Sequence, residues 1–266
     1  MPGTALERST TGEASTGGAQ AIRRAMDVVR AVAQFQRTGA TLSKIASVTG
    51  LSTSTAHRIL RSLSEERMLR HDETLRRYFL GMLAFELGLA TQTESQVQQH
   101  WRETIEQVAR ETRLTSYLMA RSDCEAVCLI CVQGSTTIRA MPLDVGQRLP
   151  LGIGAGSAAI LATLEDAEIK EIMASNTARL KQFPGEGRQA DAIRERIGAT
   201  RAAGYAVSTG SVAGGLVGVG VPVLPRSGLL QLAVSVSAVA DIMDPGEARR
   251  IAETIDRAIK ARLAQG

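Results

Sequence analysis

Ser54, Arg58 and Arg61 recur at helical spacing within residues 41–63, and they are the side chains with the clearest chemistry in this sequence. At about 100° per residue they fall on one side of a helix, with His57 on its flank. Small hydroxyl groups allow a helix to approach DNA closely, and arginines reach phosphates or guanine edges. The pattern predicts a helix that reads the major groove. The alternative is a surface helical hairpin whose charged face is only solvated.

Two short helices joined by a tight turn are predicted to position these side chains. Thr41 is an expected N-cap of the first helix, and Gly50 supplies a turn in which a left-handed backbone costs little. Ser52 is the expected N-cap of the second helix, whose apolar stripe contains Ala56 and Leu60. This helix-turn-helix pattern predicts DNA contacts from Thr41, Ser52, Thr53, Ser54, Thr55, His57, Arg58 and Arg61.

A wing is expected directly after the second helix. Residues 68–70 and 77–80 are predicted to form two short strands around a polar turn. In this β-hairpin, Arg76 and Arg77 could contact phosphate or the minor groove. Ordinary solvation of a strand edge is the alternative for both arginines.

The charge distribution separates the front of the chain from the rest. Residues 21–80 contain 11 Lys and Arg against 5 Asp and Glu, a charge of +6, and the whole chain carries +4, which leaves −2 for the remainder. A basic front on a near-neutral remainder is typical of a DNA-binding module attached to another domain. The predicted parts are a disordered tail (1–19), a winged helix-turn-helix domain (20–81), a linker helix (82–98) and a second domain (99–266). A helix is predicted over 21–36, with Ile22, Met26, Val29 and Ala33 on or near one face.

Alternating strands and helices are predicted after residue 112, so the fold class is α+β with two domains. The segment GIGAGSAAILATL opens a helix with glycines, and several backbone N–H groups at its start form a natural anion site. Its match to a dinucleotide fingerprint is poor, because the third glycine and the acidic residue of a βαβ unit are missing. We therefore expect no nucleotide cofactor, and no cofactor of any other kind.

Cys124, Cys128 and Cys131 are the three cysteines of the sequence. Their C-x3-C-x2-C spacing suggests a metal site, but a regular strand would send Cys128 and Cys131 to opposite faces, and no nearby histidine completes the ligand set. We expect no metal. The odd count, without a signal peptide, favours a reduced, cytoplasmic protein. No apolar run approaches the roughly 20 residues of a membrane span, so no membrane partner is expected.

The order of these parts and several motifs resemble the IclR family of bacterial transcriptional regulators. The motifs are GLSTSTAHRILRSL, RRYFLG, GQRLPLGIGAGSAAILA, AAGYAV, and GVGVPV followed by LAVSVSA. The resemblance implies a winged helix-turn-helix, a linker helix and a GAF-like α/β domain with a mainly antiparallel sheet that binds a small effector. It also implies a homodimer or homotetramer that binds a palindromic operator in double-stranded DNA. The effector contacts that it implies are Gly154, Ala155, Gly156, Ser208, Gly218, Ser235 and Ser237.

The sequence departs from the family pattern around this implied pocket. Family members carry a histidine and a Gly-Lys pair where this chain has Gly152, Ser157 and Ala158, and an acidic run where this chain has residues 208–213 without charge. Where many members have a cysteine, this chain has Gly218. Strand alternation places Gly218 and Gly220 on one face, and the resemblance implies that this face is the ligand side. We therefore predict a roomier, less charged pocket for a larger, more neutral ligand; close packing around a vestigial pocket is the alternative.

A ligand-responsive transcriptional regulator is the function that these features favour. An enzyme is disfavoured, because no histidine follows His100 and neither a G-x-S-x-G elbow nor an acidic pair in an apolar setting is present. No catalytic residue is therefore assigned. An architectural DNA-binding protein whose second domain only oligomerises is the other alternative.

Overall fold

A computed structural model of the chain describes residues 17–36, 38–90, 92–136, 143–183, 190–224, 230–240 and 243–265. The chain divides into two compact units, residues 1–90 and 91–266. The first unit is helical with a small hairpin, and the second contains an antiparallel sheet with helices on both faces. The predicted two-domain α+β fold class is therefore confirmed.

The described residues of the first unit form four helices and two strands. They are α1 (Gly17–Ala33), α2 (Leu42–Thr49), α3 (Thr53–Glu65), β1 (Leu69–Asp72), β2 (Arg77–Leu80) and α4 (Met82–Ala90). Strands β1 and β2 pair antiparallel, with Leu69 opposite Leu80. Their core with the first three helices contains Val28, Val32, Ala40, Ile45, Leu60, Leu69 and Tyr78.

Helix α1 differs from the prediction in its start and in its buried face. It begins at Gly17, so residues 17–19 of the predicted tail are helical, and residues 1–16 lie outside the described ranges. Ile22 and Met26, on the apolar face noted in the sequence, are exposed, with exposed fractions of 67% and 42%. Val28, Ala31 and Val32 are buried instead, because these are the residues of the helix that pack on the core of the first unit. Both sets of apolar residues fit the helical period, so the sequence pattern alone does not show which set packs on the core.

The predicted linker helix, residues 82–98, corresponds to parts of two helices. Helix α4 belongs to the first unit and α5 (Gln92–Thr112) to the second, while residue 91 between them lies outside the described residues. The start of α4 is fastened to the base of the wing, because Leu83 donates a backbone hydrogen bond to the Arg67 carbonyl (3.1 Å). The Arg67 guanidinium also pairs with the Glu86 carboxylate at 2.7 Å.

The second unit continues from α5 into a six-stranded sheet. Its strands are β3 (Thr115–Ser122), β4 (Glu125–Val132), β5 (Arg148–Pro150), β6 (Ala206–Thr209), β7 (Leu216–Val223) and β8 (Leu232–Val239). The order across the sheet is β5-β4-β3-β8-β7-β6, and each neighbouring pair of these strands is antiparallel. The remaining helices are α6 (Ala155–Ala162), α7 (Asp166–Leu180), α8 (Ala190–Ala203) and α9 (Pro245–Gln265).

Two apolar cores cover the two faces of this sheet. On one face, Ile105 of α5 and Ile255 of α9 pack against the β7 valines Val217, Val219 and Val221. On the other face, α6, α7 and α8 pack against a second set of strand residues that includes Tyr117 and Met119. The alternation predicted for β7 is therefore confirmed, and Gly218 and Gly220 face α6. None of the described helices is long and apolar enough to cross a bilayer.

Candidate DNA-binding surface and effector cavity

The two predicted caps of the helix-turn-helix are present. The Thr41 hydroxyl accepts a hydrogen bond from the backbone N–H of Lys44, and the Ser52 hydroxyl accepts one from that of Thr55, both at 3.3 Å. Gly50 adopts the left-handed conformation (φ 67°) that ends α2. Each cap satisfies a backbone donor that the first helical turn leaves unpaired. Thr41 and Ser52 thereby set the start of the helix that follows each of them.

Helix α3 has a buried back and an exposed front. Ala56 and Leu60 are fully buried, whereas Thr53, Ser54, His57 and Arg58 are exposed. Arg58 has no hydrogen-bond or ion-pair partner among the described residues. Arg61 is also exposed, but its Nε donates to a Glu65 carboxylate oxygen at 2.9 Å. The predicted front face is thus available to a partner, with Arg58 as its unpaired cation.

The wing arginines have different environments. Arg76 is exposed in the hairpin turn, where its φ is 50°, next to Leu75 with an exposed fraction of 57%. Arg77 instead donates to the backbone carbonyls of Thr38 (2.7 Å) and Gly39 (3.4 Å). Arg77 therefore fastens the wing to the loop before α2, a role that the sequence did not reveal, and Arg76 is the arginine at the tip.

A small cavity lies at the N-terminus of α6 in the second unit, with a volume of about 40 Å³. An engineered apolar cavity of roughly 150 Å³ holds benzene, so this one has room for little more than water. No charged side chain is among the described residues that line it, which are Tyr117, Met119, Leu143, Leu149, Gly154, Ala155, Gly156, Ser157, Val212, Ser235, Val236 and Ser237. These described lining residues are uncharged, as predicted, but the predicted roominess is wrong.

The glycines of β7 explain the small volume. A Cβ atom at Gly218 would lie 3.1 Å from the Ala155 Cβ, and one at Gly220 would lie 2.8 Å from the Gly156 nitrogen. These glycines therefore admit helix α6 rather than a ligand. Gly218 does not line the cavity, and neither does Ser208, whose hydroxyl is hydrogen-bonded to that of Ser211. The other five predicted effector contacts, Gly154, Ala155, Gly156, Ser235 and Ser237, do line it.

The residues at the start of α6 line this cavity. Gly154 is the N-cap at φ 81°, without a side-chain capping bond, and its own N–H donates to the Ser211 hydroxyl at 3.1 Å. The Ser157 hydroxyl accepts from the Gly152 N–H (2.9 Å) and donates to the Pro150 carbonyl (3.0 Å). These bonds hold the loop in place. The N–H groups of the first helical turn have no acceptor within the helix, which is the feature that makes helix N-termini bind anions.

Hydroxyl groups from strands β3 and β8 also line the cavity. Ser235 and Ser237 share a face of β8, as predicted, and Tyr117 of β3 lies opposite Ser235 in the strand register. The Tyr117 and Ser237 hydroxyl oxygens are 3.2 Å apart and hydrogen-bonded. Burial raises the pKa of the Tyr117 hydroxyl, so this group is a neutral phenol at physiological pH. Sequence reasoning missed Tyr117, because only the register of β3 and β8 brings it to the serines.

The three cysteines lie on one side of the sheet, which contradicts the predicted opposite faces of Cys128 and Cys131. The register of β3 and β4 shifts between Leu118 and Met119, and Leu129 is left over as a β-bulge. Cys128 and Cys131 therefore both pack on the α6 side, as does Cys124. Burial raises the pKa of the Cys128 thiol, which keeps it protonated. The described residues contain no cluster of three His, Cys, Asp or Glu that could hold a metal.

Two protein-family models match the chain. One, described as the C-terminal domain of the bacterial transcriptional regulator IclR, matches residues 90–261, and the other, the IclR helix-turn-helix domain, matches residues 21–73. Among curated proteins, the HTH-type transcriptional regulator KipR of Bacillus subtilis is 26% identical over 74% of this chain and 78% of its own length. The HTH-type transcriptional regulator XynR of Escherichia coli is 24% identical over 90% of this chain and 94% of its own.

Solved structures share the fold. An IclR family transcriptional regulator from Brucella abortus is 21% identical, with a TM-score of 0.70 over 96% of this chain and 97% of its own. An IclR homolog from Microbacterium hydrocarbonoxydans, solved in complex with 4-hydroxybenzoate, is also 21% identical. Its TM-score is 0.69 over 92% of this chain and 100% of its own.

Proposed function

The chain belongs to the IclR family and is a transcriptional regulator with an effector-binding domain, and we propose that a small organic acid controls its binding to operator DNA. The observation that carries the DNA-binding part is the exposed front of α3, on which Ser54 and an unpaired Arg58 stand opposite a fully buried Leu60. A regulator of this kind acts in the cytoplasm, where bacterial DNA lies.

Each part of the winged helix-turn-helix has a place in the proposed complex. Helix α3 enters the major groove, where Arg58 reaches a base edge or a phosphate and Ser54 allows close approach. Arg76 at the wing tip lies along the neighbouring backbone or minor groove. Arg77 contributes indirectly, because its bonds to the Thr38 and Gly39 carbonyls set the position of the wing.

A second copy of the chain is proposed to complete the operator-binding unit. Met82, Phe85 and Leu89 fall on one face of α4, and their exposed fractions are 57%, 58% and 62%. Contiguous exposed apolar side chains are rare on monomers and mark interaction surfaces. If α4 pairs with α4 of another copy, two recognition helices are related by a two-fold axis, and the operator is correspondingly palindromic.

The effector is proposed to be an acid because of the donors at the start of α6. A carboxylate there would accept hydrogen bonds from backbone N–H groups and lie at the positive end of the helix dipole. None of the described residues that line the cavity is basic, so among them the backbone donors would hold the charge. The structural neighbour that contains 4-hydroxybenzoate, itself a carboxylic acid, supports this chemistry.

The cavity must open to admit such a molecule. Val212 lines it, and its Cγ2 lies 3.1 Å from where a Cβ on Gly154 would stand. The segment that carries Val212 is held by the bond from the Gly154 N–H to the Ser211 hydroxyl. An acid that replaces this hydroxyl as the acceptor would release the segment. Binding would then favour one conformation of the second unit, as a ligand must do if it is to shift an equilibrium.

Operator selection followed by effector titration tests this function. The full-length chain would select its binding sites from randomised DNA, and affinity for the selected site would be measured with and without acetate, propionate and 4-hydroxybenzoate. We expect one recurring palindrome and a change in affinity with at least one acid. Failure to enrich any sequence would contradict the proposed DNA reading.

A regulator without an effector is the second candidate, and the small volume of the cavity favours it. In that case the second unit would only bring copies of the chain together. The two candidates differ in one measurement, because only the effector-controlled regulator changes its operator affinity when an acid binds. Thermal stabilisation of the protein by an acid would support the first candidate.

A further inference from the structure

A long groove separates helices α7 and α8 on the surface of the second unit, and its volume is about 1030 Å³. The residues that line it recur every three or four positions along both helices, so each helix presents one side to the groove. This volume lies at the upper end of the roughly 300–1,000 Å³ of small-molecule sites. No described residue lines both the groove and the cavity at α6. The groove is therefore a separate candidate site.

The floor of the groove is apolar and elongated. Its larger apolar side chains pack in the core beneath the helices, and they are those of Ile169, Met173, Leu180 and Ile197. From Ile169 to Leu180, helix α7 advances about 16 Å along its axis. Removal of water from this floor by an apolar ligand would be favourable. The shape of the floor favours a long, narrow chain.

The charged residues of the groove leave a positive excess. Four basic and two acidic side chains are among its described lining residues, which gives a net charge of +2. Arg201 pairs with Asp166 at 2.8 Å, and Arg194 pairs with Asp191 at 2.6 Å. Because these arginines already compensate both acidic groups, the excess charge belongs to the two lysines of the groove.

The two lysines, Lys170 and Lys181, lie near opposite ends of the groove. Neither has a hydrogen-bond or ion-pair partner among the described residues. They are eleven positions apart, and Lys181 still has helical backbone angles. They therefore lie on the same side of α7, roughly 16 Å apart along its axis. Each end of the groove matches an anionic group, and the floor between them matches an apolar chain.

We propose that the groove binds a long dicarboxylate, with one carboxylate at Lys170, the other at Lys181 and an apolar chain on the floor between them. An extended chain advances about 3.5 Å for every three bonds, so the two carboxyl carbons of the twelve-carbon acid dodecanedioate are roughly 13 Å apart. The flexible lysine side chains bridge the remaining distance. A monocarboxylate pairs with only one lysine, and a diamine is repelled by both.

Four ligands test this recognition: dodecanedioate, dodecanoate, hexanedioate and the twelve-carbon diamine. Isothermal titration calorimetry would measure their affinities for the full-length protein, with dodecanoate kept below the concentration at which it forms micelles. We expect dodecanedioate to bind about threefold more tightly than dodecanoate, because it gains a second exposed ion pair. Hexanedioate has six fewer methylene groups to place on the floor and should bind at least about tenfold more weakly than dodecanedioate. The diamine should not bind.

Lys170→Gln and Lys181→Gln each remove one charge from an exposed side chain. Each should weaken the binding of dodecanedioate about threefold. Either should weaken the binding of dodecanoate by less than about twofold, because its single carboxylate can pair with the lysine that remains. Lys260→Gln, on α9 and outside the groove, is the matched control and should leave both affinities unchanged.

Gly198→Leu locates the site by filling the groove. Gly198 is an exposed residue of α8, and a Cβ there would meet no atom within 4 Å, so the leucine enters the groove without straining the fold. We expect dodecanedioate to bind at least about tenfold more weakly to this variant. Gly18→Leu makes the same substitution in α1, where a Cβ would also meet no atom within 4 Å, and it should leave the affinity unchanged.

Absence of dodecanedioate binding would overturn the proposed site. If the diamine binds as tightly as dodecanedioate, or if both lysine variants bind dodecanedioate as well as the original protein does, the lysines do not recognise carboxylates and the proposal is wrong. If Gly198→Leu leaves the affinity for dodecanedioate unchanged, the ligand binds elsewhere and the groove is not its site.

Discussion

A Cβ atom on Gly220 would lie 2.5 Å from the carbonyl oxygen of Ala155, so strand β7 and helix α6 meet backbone to backbone at these two residues. Real Cβ atoms do not approach a carbonyl oxygen so closely, and neither backbone can move without disturbing its own hydrogen bonds. We therefore expect Gly220→Ala to lower the free energy of unfolding by about 1–3 kcal/mol, the usual cost of overpacking. Urea denaturation of the full-length chain measures this change in the free energy of unfolding.

Gly198→Ala is the matched control for this substitution. Gly198 lies within α8, and a Cβ there would meet no atom within 4 Å. Alanine is the better helix former, so the control should raise the free energy of unfolding by about 0.5–1 kcal/mol. Equal effects of the two substitutions would contradict the close contact of β7 with α6.

Arg58→Ala should reduce sequence-specific DNA binding more than Arg61→Ala. Arg58 has no partner among the described residues, whereas Arg61 is engaged with Glu65 and must first leave it. We expect a loss of about 1–3 kcal/mol for Arg58→Ala if it contacts a base, together with relaxed preference at one operator position. Fluorescence anisotropy with selected and scrambled DNA distinguishes this from uniform weakening, which would indicate a phosphate contact.

The control for both arginine variants is Arg249→Ala. Arg249 is an exposed residue of the second unit and pairs with Glu253 at 3.0 Å. The substitution Arg249→Ala removes the same positive charge as Arg58→Ala, but at a residue outside the winged helix-turn-helix. If it weakens DNA binding as much as Arg58→Ala, the front of α3 has no special role.

Phe85→Ser should weaken self-association of the chain. Phe85 is exposed on the apolar face of α4, and a symmetric contact would bury it twice. Burial of one such side chain contributes about 1.5–3 kcal/mol, so the dissociation constant of the dimer should rise tenfold or more. Sedimentation velocity at several concentrations measures this. Leu224→Ser, at a residue of the second unit with an exposed fraction of 65%, should have no such effect.

Val212→Ala should make the cavity easier to enter. It removes the two methyl groups that line the cavity next to Gly154, and an entering acid no longer has to displace them. At about 0.8 kcal/mol for each buried carbon group, we expect propionate to bind at least threefold more tightly. Calorimetry measures this against Val207→Ala, a residue of edge strand β6 that does not line the cavity. Weaker binding in the Val212 variant would mean that Val212 contacts the ligand rather than excluding it.

Local chemistry was predictable from the sequence. The caps at Thr41 and Ser52 and the left-handed Gly50 depend on residues within a few positions, and all three are as predicted. Strand alternation likewise placed Ser235 and Ser237 on one face. Such features follow from backbone geometry that a short segment determines by itself.

Features that depend on a distant partner were not predictable. The β-bulge at Leu129 arises from the pairing of β4 with β3, and it reverses the expected faces of the cysteines. Whether a strand glycine makes room for a ligand or for a helix depends on what lies opposite, and α6 lies opposite Gly218. The partners of Arg77 are 38 and 39 residues away in the chain. Alternation and composition contain no information about these contacts.

The attachment of α4 to the wing makes these two elements one lever. The first turn of α4 is attached to Arg67 by the backbone hydrogen bond of Leu83 and by the ion pair with Glu86. Both bonds oppose rotation of the helix at the point where it leaves β2. Nine residues of helix extend about 13 Å from this fixed end to Ala90. A sideways displacement of only about 2 Å at Ala90 would therefore tilt the lever by roughly 10°. The wing would turn with it, so in the proposed complex a small movement at the far end of α4 would change how the wing meets DNA.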